Sequence, residues 1–93
     1  MTNARIGLAI SVLREEHDLT QQQLATRLHT TASAVSKIER GLFDTRLQTF
    51  EKLGRAFGLE AWELLRFASR LQETIDTRHD SEPRLHLANW REA

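Results

Sequence analysis

The chain has no cysteine, one proline and four glycines among its 93 residues. The lack of cysteine excludes a disulfide framework, thiolate metal sites and cysteine nucleophiles, and it is typical of proteins of the reducing cytoplasm. Its apolar runs are only a few residues long, which is too short for a membrane span or a secretory signal. A chain of this length forms one small domain, and the scarcity of proline and glycine favours an all-α fold.

Charge is balanced over the whole chain but divided unevenly along it. Residues 1–58 carry eight Lys or Arg and six Asp or Glu, a net charge of +2. Residues 59–93 carry five Lys or Arg and seven Asp or Glu, a net charge of −2. The mildly basic N-terminal part allows a modest attraction to nucleic acid that salt screens easily.

Apolar spacing and punctuation residues predict five helices. Threonines are expected to cap three of them. Thr20 forms a T-x-x-Q capping box with Gln23, Thr31 precedes the third helix, and Thr45 forms a second such box with Gln48. The predicted helices cover residues 4–17, 21–28, 32–40, 46–57 and about 60–76.

The segment after the fifth predicted helix changes character. Residues 77–83 are polar and predict a turn or linker. Residues 84–90 alternate like a strand at Leu85 and Leu87, yet Ser81 and Pro83 equally suit the start of a short helix.

The most informative segment runs from Leu19 to Gly41 (LTQQQLATRLHTTASAVSKIERG) and holds two short helices joined at residues 29–31. Apolar residues of both helices point to one shared core, and Ala25 is small where the helices approach each other. This arrangement predicts a helix-turn-helix. The outward face of the second helix carries short or basic side chains that fit a major groove, namely Ala32, Ser33, Ser36, Lys37 and Arg40.

Three consecutive motifs resemble the Cro/C1-type (XRE) helix-turn-helix family. They are L-T-Q-x-x-L-A at residues 19–25, I-E-R-G at 38–41 and L-x-T-x-x-K-L-x-x-A-F-G at 47–58. The resemblance covers about residues 5–66. It implies a five-helix, lambda-repressor-like domain over residues 1–66, followed by a helical extension and tail over 67–93 for dimerisation or partner contact.

The resemblance also implies a DNA-binding surface. Gln21 is expected on the phosphate backbone, whereas Ser33 and Lys37 are expected at base edges. Ala32 lies at a base-reading position too, but it offers only an apolar contact, for example with a thymine methyl. The complete expected set is Gln21, Thr31, Ala32, Ser33, Ser36, Lys37, Arg40 and Arg46.

Arg14 and Glu39 match the partly buried ion pair of that family, which implies that they lock the first helix to the recognition helix. The chain departs from the family at two turns, where His29 and Asp18 replace glycines. His29 is therefore expected to need a left-handed backbone.

The start of the fifth helix corresponds to the dimer interface of the resembling family. Leu59, Trp62 and Leu65 are the residues expected there. Leu8 and Val12 add an apolar face to the first helix. We expect the extension to cover that face, in its own or a partner subunit, through Leu71, Ile75, Leu85, Leu87 and Trp90.

No catalytic or metal-binding constellation is recognisable. The four histidines do not form a convincing ligand set, no serine has a base and an orienting acid near it in sequence, and no glycine-rich phosphate loop is present. We therefore expect no enzymatic activity, no cofactor and no metal.

Two functions fit the sequence. The first is a cytoplasmic, homodimeric repressor that reads an inverted-repeat operator in double-stranded DNA with a recognition helix over residues 32–40. The alternative is an antitoxin that regulates its own gene through the same helix-turn-helix and binds its toxin through the C-terminal region, where Trp90 is a candidate anchor.

Overall fold

The computed structural model describes residues 2–44 and 46–77. Within these residues there are five α-helices and no strand, which confirms the all-α prediction. The helices are α1 (Asn3–Glu16), α2 (Gln21–Leu28), α3 (Ala32–Glu39), α4 (Leu47–Arg55) and α5 (Ala61–Thr77).

Threonine side chains cap α2 and α3 as predicted. The capping box at α2 is complete, since Thr20 Oγ1 accepts from the backbone N–H of Gln23 at 3.1 Å and Gln23 Oε1 accepts from that of Thr20 at 2.8 Å. At α3, Thr31 Oγ1 accepts from the backbone N–H of Ala34 at 3.1 Å. Each cap satisfies a donor that has no acceptor inside its own helix, which fixes where the helix begins.

Helix α4 begins differently from the prediction. Arg46 occupies the N-cap position and makes no side-chain cap, whereas Thr45, the predicted cap, lies outside the described residues. The Asp44 carboxylate accepts hydrogen bonds from the backbone N–H of Arg46 at 3.2 Å and from the Thr49 hydroxyl. These two bonds, led by the one from Thr49, hold the pKa of Asp44 below its ordinary value. A charged carboxylate is a stronger acceptor than a hydroxyl, which explains why Asp44 organises this turn.

Two turns use left-handed residues that are not glycine. His29 (φ 58°) closes α2 and Asp18 (φ 55°) precedes it, in agreement with the expectation for His29. The backbone N–H of Thr30 donates to the carbonyl of Ala25 at 2.9 Å, so the left-handed residue satisfies a carbonyl at the end of the helix.

A single core joins all the helices. Its largest side chains with under 2% exposure come from α1, α2, α3 and α5: Phe67, Ile6, Ile10, Leu13, Leu24, Leu64 and Val35. Helix α1 packs against both α3 and α5. At Gly7 the approach is so close that an added Cβ would lie 2.5 Å from the carbonyl oxygen of Ile38 and 2.6 Å from that of Glu39. The backbone of α1 therefore rests directly on the last turn of α3.

The outer face of α1 is partly open in the described structure. Leu8 is 39% exposed, whereas Val12 packs against the core. Leu71 of the extension is buried in that core. The other residues expected to cover this face are Ile75, Leu85, Leu87 and Trp90. The side chain of Ile75 and all of Leu85, Leu87 and Trp90 lie outside what the structure describes, as does the alternation predicted for residues 84–90. None of the described helices has the length and apolar character to cross a bilayer.

Candidate nucleic-acid interface

Helices α2 and α3 pack together through small and branched apolar residues. Ala25, Leu24 and Val35 have no exposed surface, and Leu28 is 2% exposed. Val35 is the buried residue of α3, so the rest of this helix lies partly or fully at the surface. Two helices joined by a short turn, with one face of the second helix open to solvent, form the helix-turn-helix predicted from the sequence.

The open face of α3 carries the predicted base-reading residues. Ser33, Lys37 and Arg40 are exposed, and Ala32 and Ser36 are half-buried beside them. Ser33 and Lys37 are four residues apart and therefore neighbours on the helix surface. Arg40 Nε donates to the carbonyl of Ser36 at 3.3 Å, which holds this guanidinium against the end of the helix. The resulting surface has hydroxyl groups near its N-terminal end and two cations near its C-terminal end.

Gln21 is the first residue of α2 and lies half-buried between that helix and α3. Its Nε2 donates a hydrogen bond to Glu39 Oε1 at 3.1 Å. The backbone N–H groups in the first turn of a helix have no acceptor within the helix, and together with the helix dipole they favour an anion. The start of α2 thus has the chemistry to hold a phosphate beside Gln21.

Arg14 and Glu39 form an ion pair between α1 and α3. Arg14 Nε lies 2.6 Å from Glu39 Oε2, and their side chains are only 15% and 9% exposed. Arg14 Nη1 also donates to the carbonyl of Leu19 at 2.8 Å, just before α2. The hydrogen bond to Glu39 raises the pKa of Arg14, so this group is always charged. One guanidinium therefore connects α1, the turn before α2 and the end of α3.

Arg46 lies exposed at the N-cap position of α4. Its guanidinium lies at the same end of the helix as the free N–H groups of the first turn, and the two together can bind a phosphate oxygen. Asp44 places a carboxylate at the same end of α4, held by the backbone of Arg46. The start of α4 therefore binds a phosphate only if the attraction from the positive charge of Arg46 exceeds the repulsion from the negative charge of Asp44.

Sequence reasoning missed several features of this surface. The sequence does not predict the hydrogen bond from Gln21 to Glu39, because the family resemblance implies only one partner for Glu39, the Arg14 guanidinium. The turn acceptor Asp44 was also missed, although an aspartate two residues before a helix N-cap is a recognisable turn signal. Leu42 (60% exposed) and Leu47 (63% exposed) flank the α3–α4 turn as exposed apolar side chains, and the motif that begins at Leu47 does not predict that exposure.

The three residues expected at a dimer interface occupy different environments. Leu59 is 8% exposed and belongs to the core of its own chain. Leu65 is half-buried against that core, whereas Trp62 is 60% exposed. Of the three, Trp62 is the one that leaves a large apolar side chain exposed to solvent. Within the described part of the chain, no group of three or more His, Asp or Glu side chains is placed to hold a metal ion.

Comparison with known proteins places this geometry among helix-turn-helix proteins. The helix-turn-helix family model matches residues 10–61, which include α2, α3, α4 and the second half of α1. An immunity repressor protein of Bacillus phage phi105 is 34% identical over 55 residues, which are 59% of this chain and 38% of the repressor. This chain therefore spans well under half the length of that relative.

A solved structure is similar to this chain in fold. The crystal structure of the clp gene regulator ClgR from Corynebacterium glutamicum aligns with a TM-score of 0.70 and covers 98% of this chain and 94% of its own, at 18% sequence identity. At that identity the likeness is one of fold.

Proposed function

We propose, given that this chain belongs to the Cro/C1-type helix-turn-helix family, that it is a sequence-specific transcriptional regulator that binds double-stranded DNA. More specifically, it acts as a homodimeric repressor that binds an inverted-repeat operator. The observation that carries it is the exposed stripe of Ser33, Lys37 and Arg40 on α3, supported from behind by buried Val35.

Positioning on DNA is assigned to groups that contact phosphate. Gln21 and the first turn of α2 hold one phosphate, and Arg46 with the first turn of α4 holds another. These contacts fix the register of α3 in the groove but read no sequence. The small net charge of this part of the chain fits a binder whose non-specific attraction is modest.

Base recognition is assigned to α3. The Lys37 ammonium donates to guanine O6 and N7, and the hydroxyls of Ser33 and Ser36 can donate or accept. Ala32 contributes contact with a thymine methyl. Thr31 caps α3 through its oxygen, so its hydroxyl proton stays available to a phosphate.

Dimerisation is assigned to the surface around Trp62. Trp62 is 60% exposed, and tryptophan is among the residues most often found as interface anchors, because it buries a large apolar area when a partner covers it. Leu65 follows Trp62 by three residues on α5, which puts the two side chains on one face of the helix, whereas Leu59 belongs to the core of its own chain. The repressor name of the phage relative favours repression, in which a protein on the operator blocks polymerase.

The experiment that tests the proposal is selection of bound duplexes from a random DNA pool at near-physiological salt. We expect enrichment of an inverted repeat with half-site centres about 10 base pairs apart, one turn of B-DNA. A direct repeat or a single half-site would refute the homodimer on an inverted repeat. No enrichment with folded protein would refute sequence-specific binding by this chain alone. Of the antitoxin alternative it would leave only the binding of a toxin through the C-terminal region.

A matched pair of lysine substitutions locates the reading surface. Lys37→Ala is expected to weaken binding to the selected site by about 1–3 kcal/mol and to relax the preference at one base position. Lys52→Ala removes the same charge from the exposed surface of α4 and serves as the control. Equal losses for the two variants, with unchanged base preference, would refute the assignment of Lys37 to base recognition.

A further inference from the structure

The side-chain amide of Gln21 is already engaged before any DNA is bound. Its Nε2 lies 3.1 Å from Glu39 Oε1, across 18 residues of sequence. The carboxylate that receives it is itself fixed, because Arg14 Nε donates to Glu39 Oε2 at 2.6 Å and Arg14 Nη2 donates to Glu39 Oε1 at 3.4 Å. Gln21 therefore hydrogen-bonds to a side chain that cannot easily turn away.

The chemistry of this contact fixes which way round the amide lies. An ionised carboxylate can only accept hydrogen bonds, so Gln21 must present its nitrogen, not its oxygen, to Glu39. An amide nitrogen has two N–H groups, of which Glu39 Oε1 takes one. The other N–H remains available at the start of α2, where backbone N–H groups favour a phosphate.

Without Glu39 the amide would be free to rotate. A glutamine side chain loses much rotamer freedom when it is ordered, and it can equally well present its oxygen, which repels a phosphate. Ordering the side chain in advance removes that loss from the binding step.

We propose that Glu39 is a positioning residue for DNA binding: it holds the Gln21 amide so that its second N–H meets a backbone phosphate. The inference rests on the proposed function and deepens it. Glu39 touches no DNA and acts through Gln21. Its bond to Arg14 has a separate role, since that pair ties α1 to α3 whether or not DNA is bound.

The test is a double-mutant cycle in DNA affinity, measured on the full chain with the selected duplex. Gln21→Ala is expected to weaken binding roughly ten- to hundredfold in the wild-type background, as for a lost hydrogen bond to a charged group. In the Glu39→Gln background the same substitution is expected to change affinity by less than about threefold, because the Gln21 amide is no longer held by a carboxylate.

Two further backgrounds separate positioning from stability. Glu39→Asp keeps the charge opposite Arg14 but shortens the side chain, so it is expected to reduce the effect of Gln21→Ala in the same way. Arg14→Lys keeps a cation opposite Glu39, and so keeps the carboxylate in place for the Gln21–Glu39 bond; the effect of Gln21→Ala should therefore stay near its full size. All affinities are measured below the melting temperature of every variant, which circular dichroism establishes.

The outcomes are distinguishable. An equal loss from Gln21→Ala in all backgrounds would overturn the positioning role while the proposed function stands. The positioning role would also be overturned if Arg14→Lys reduced the effect of Gln21→Ala on DNA affinity as much as Glu39→Asp does. Such equal coupling would reflect a general loss of stability, not the Gln21–Glu39 hydrogen bond. If the wild-type chain selects no DNA sequence, the proposed function itself fails and the inference falls with it.

Discussion

Replacing Gly7 with alanine tests how closely α1 lies on the recognition helix. By helix propensity alone the change should help, because alanine in a helix interior is favoured over glycine by about 1 kcal/mol. The structure predicts the opposite sign. The new Cβ would lie 2.5 Å from the carbonyl oxygen of Ile38 and 2.6 Å from that of Glu39, far inside ordinary contact.

The size of the destabilisation depends on which atoms the new Cβ would contact. Overpacking a tight site costs typically 1–3 kcal/mol, at the lower end when a side chain can move aside. Here the obstacles are backbone carbonyls in the last turn of α3, so relief requires a movement of one helix against the other. A cost of about 3 kcal/mol less the gain in propensity gives a net destabilisation of about 2 kcal/mol. For a domain of this size the melting temperature should fall by roughly 8–16 °C.

Thermal and urea unfolding of Gly7→Ala, followed by circular dichroism, measure this effect. Gly58→Ala is the comparison variant, since a Cβ there meets nothing within 4 Å and the strain comes from its positive φ of 73°, which costs about 1–2 kcal/mol. We expect Gly7→Ala to be the more destabilising of the two. A Gly7→Ala variant as stable as wild type would refute the close α1–α3 contact.

Two further predictions concern the α3–α4 turn and the surface around Trp62. The pKa of Asp44 is lower in the folded chain, so its stabilising effect is present above the unfolded value of about 4 and is lost as the pH falls further. The stability difference between wild type and Asp44→Ala in urea should thus shrink below about pH 4, and a difference constant down to about pH 2 would contradict this account. Trp62→Arg should shift the mass in sedimentation equilibrium from dimer to monomer, while Leu42→Arg, at a residue equally 60% exposed, should not; equal shifts would reject Trp62 as the anchor.

Helix positions were predictable where the signal is local. Thr20 with Gln23, and Thr31, lie next to the backbone donors that they cap, so a few consecutive residues contain all the information needed. The start of α4 was placed one residue early for a related reason. Thr45 and Asp44 are adjacent candidate acceptors, and spacing alone does not show that the stronger acceptor would organise the turn.

The candidate site was predictable only in part. The residues exposed on α3 follow from helical period and from the apolar positions that must be buried. The hydrogen bond of Gln21 to Glu39 depends on how the start of α2 meets the end of α3, which no spacing rule specifies. From the sequence alone, Gly7 is simply an unfavourable residue in the interior of a helix. The structure supplies the reason for it, which is the close approach of the Ile38 and Glu39 carbonyls.

These contacts explain how so short a recognition helix is held in place. Helix α3 has eight residues, of which Val35 is the buried one, and isolated helices shorter than about 12–15 residues are marginal in water. Its orientation must therefore come from its neighbours. Helix α1 contacts the C-terminal end of α3 in two places, through the close backbone approach at Gly7 and through the ion pair from Arg14 to Glu39. Because the same Glu39 holds Gln21, the phosphate-binding start of α2 and the base-reading face of α3 share one support, and any change in α1 that displaces Glu39 acts on both.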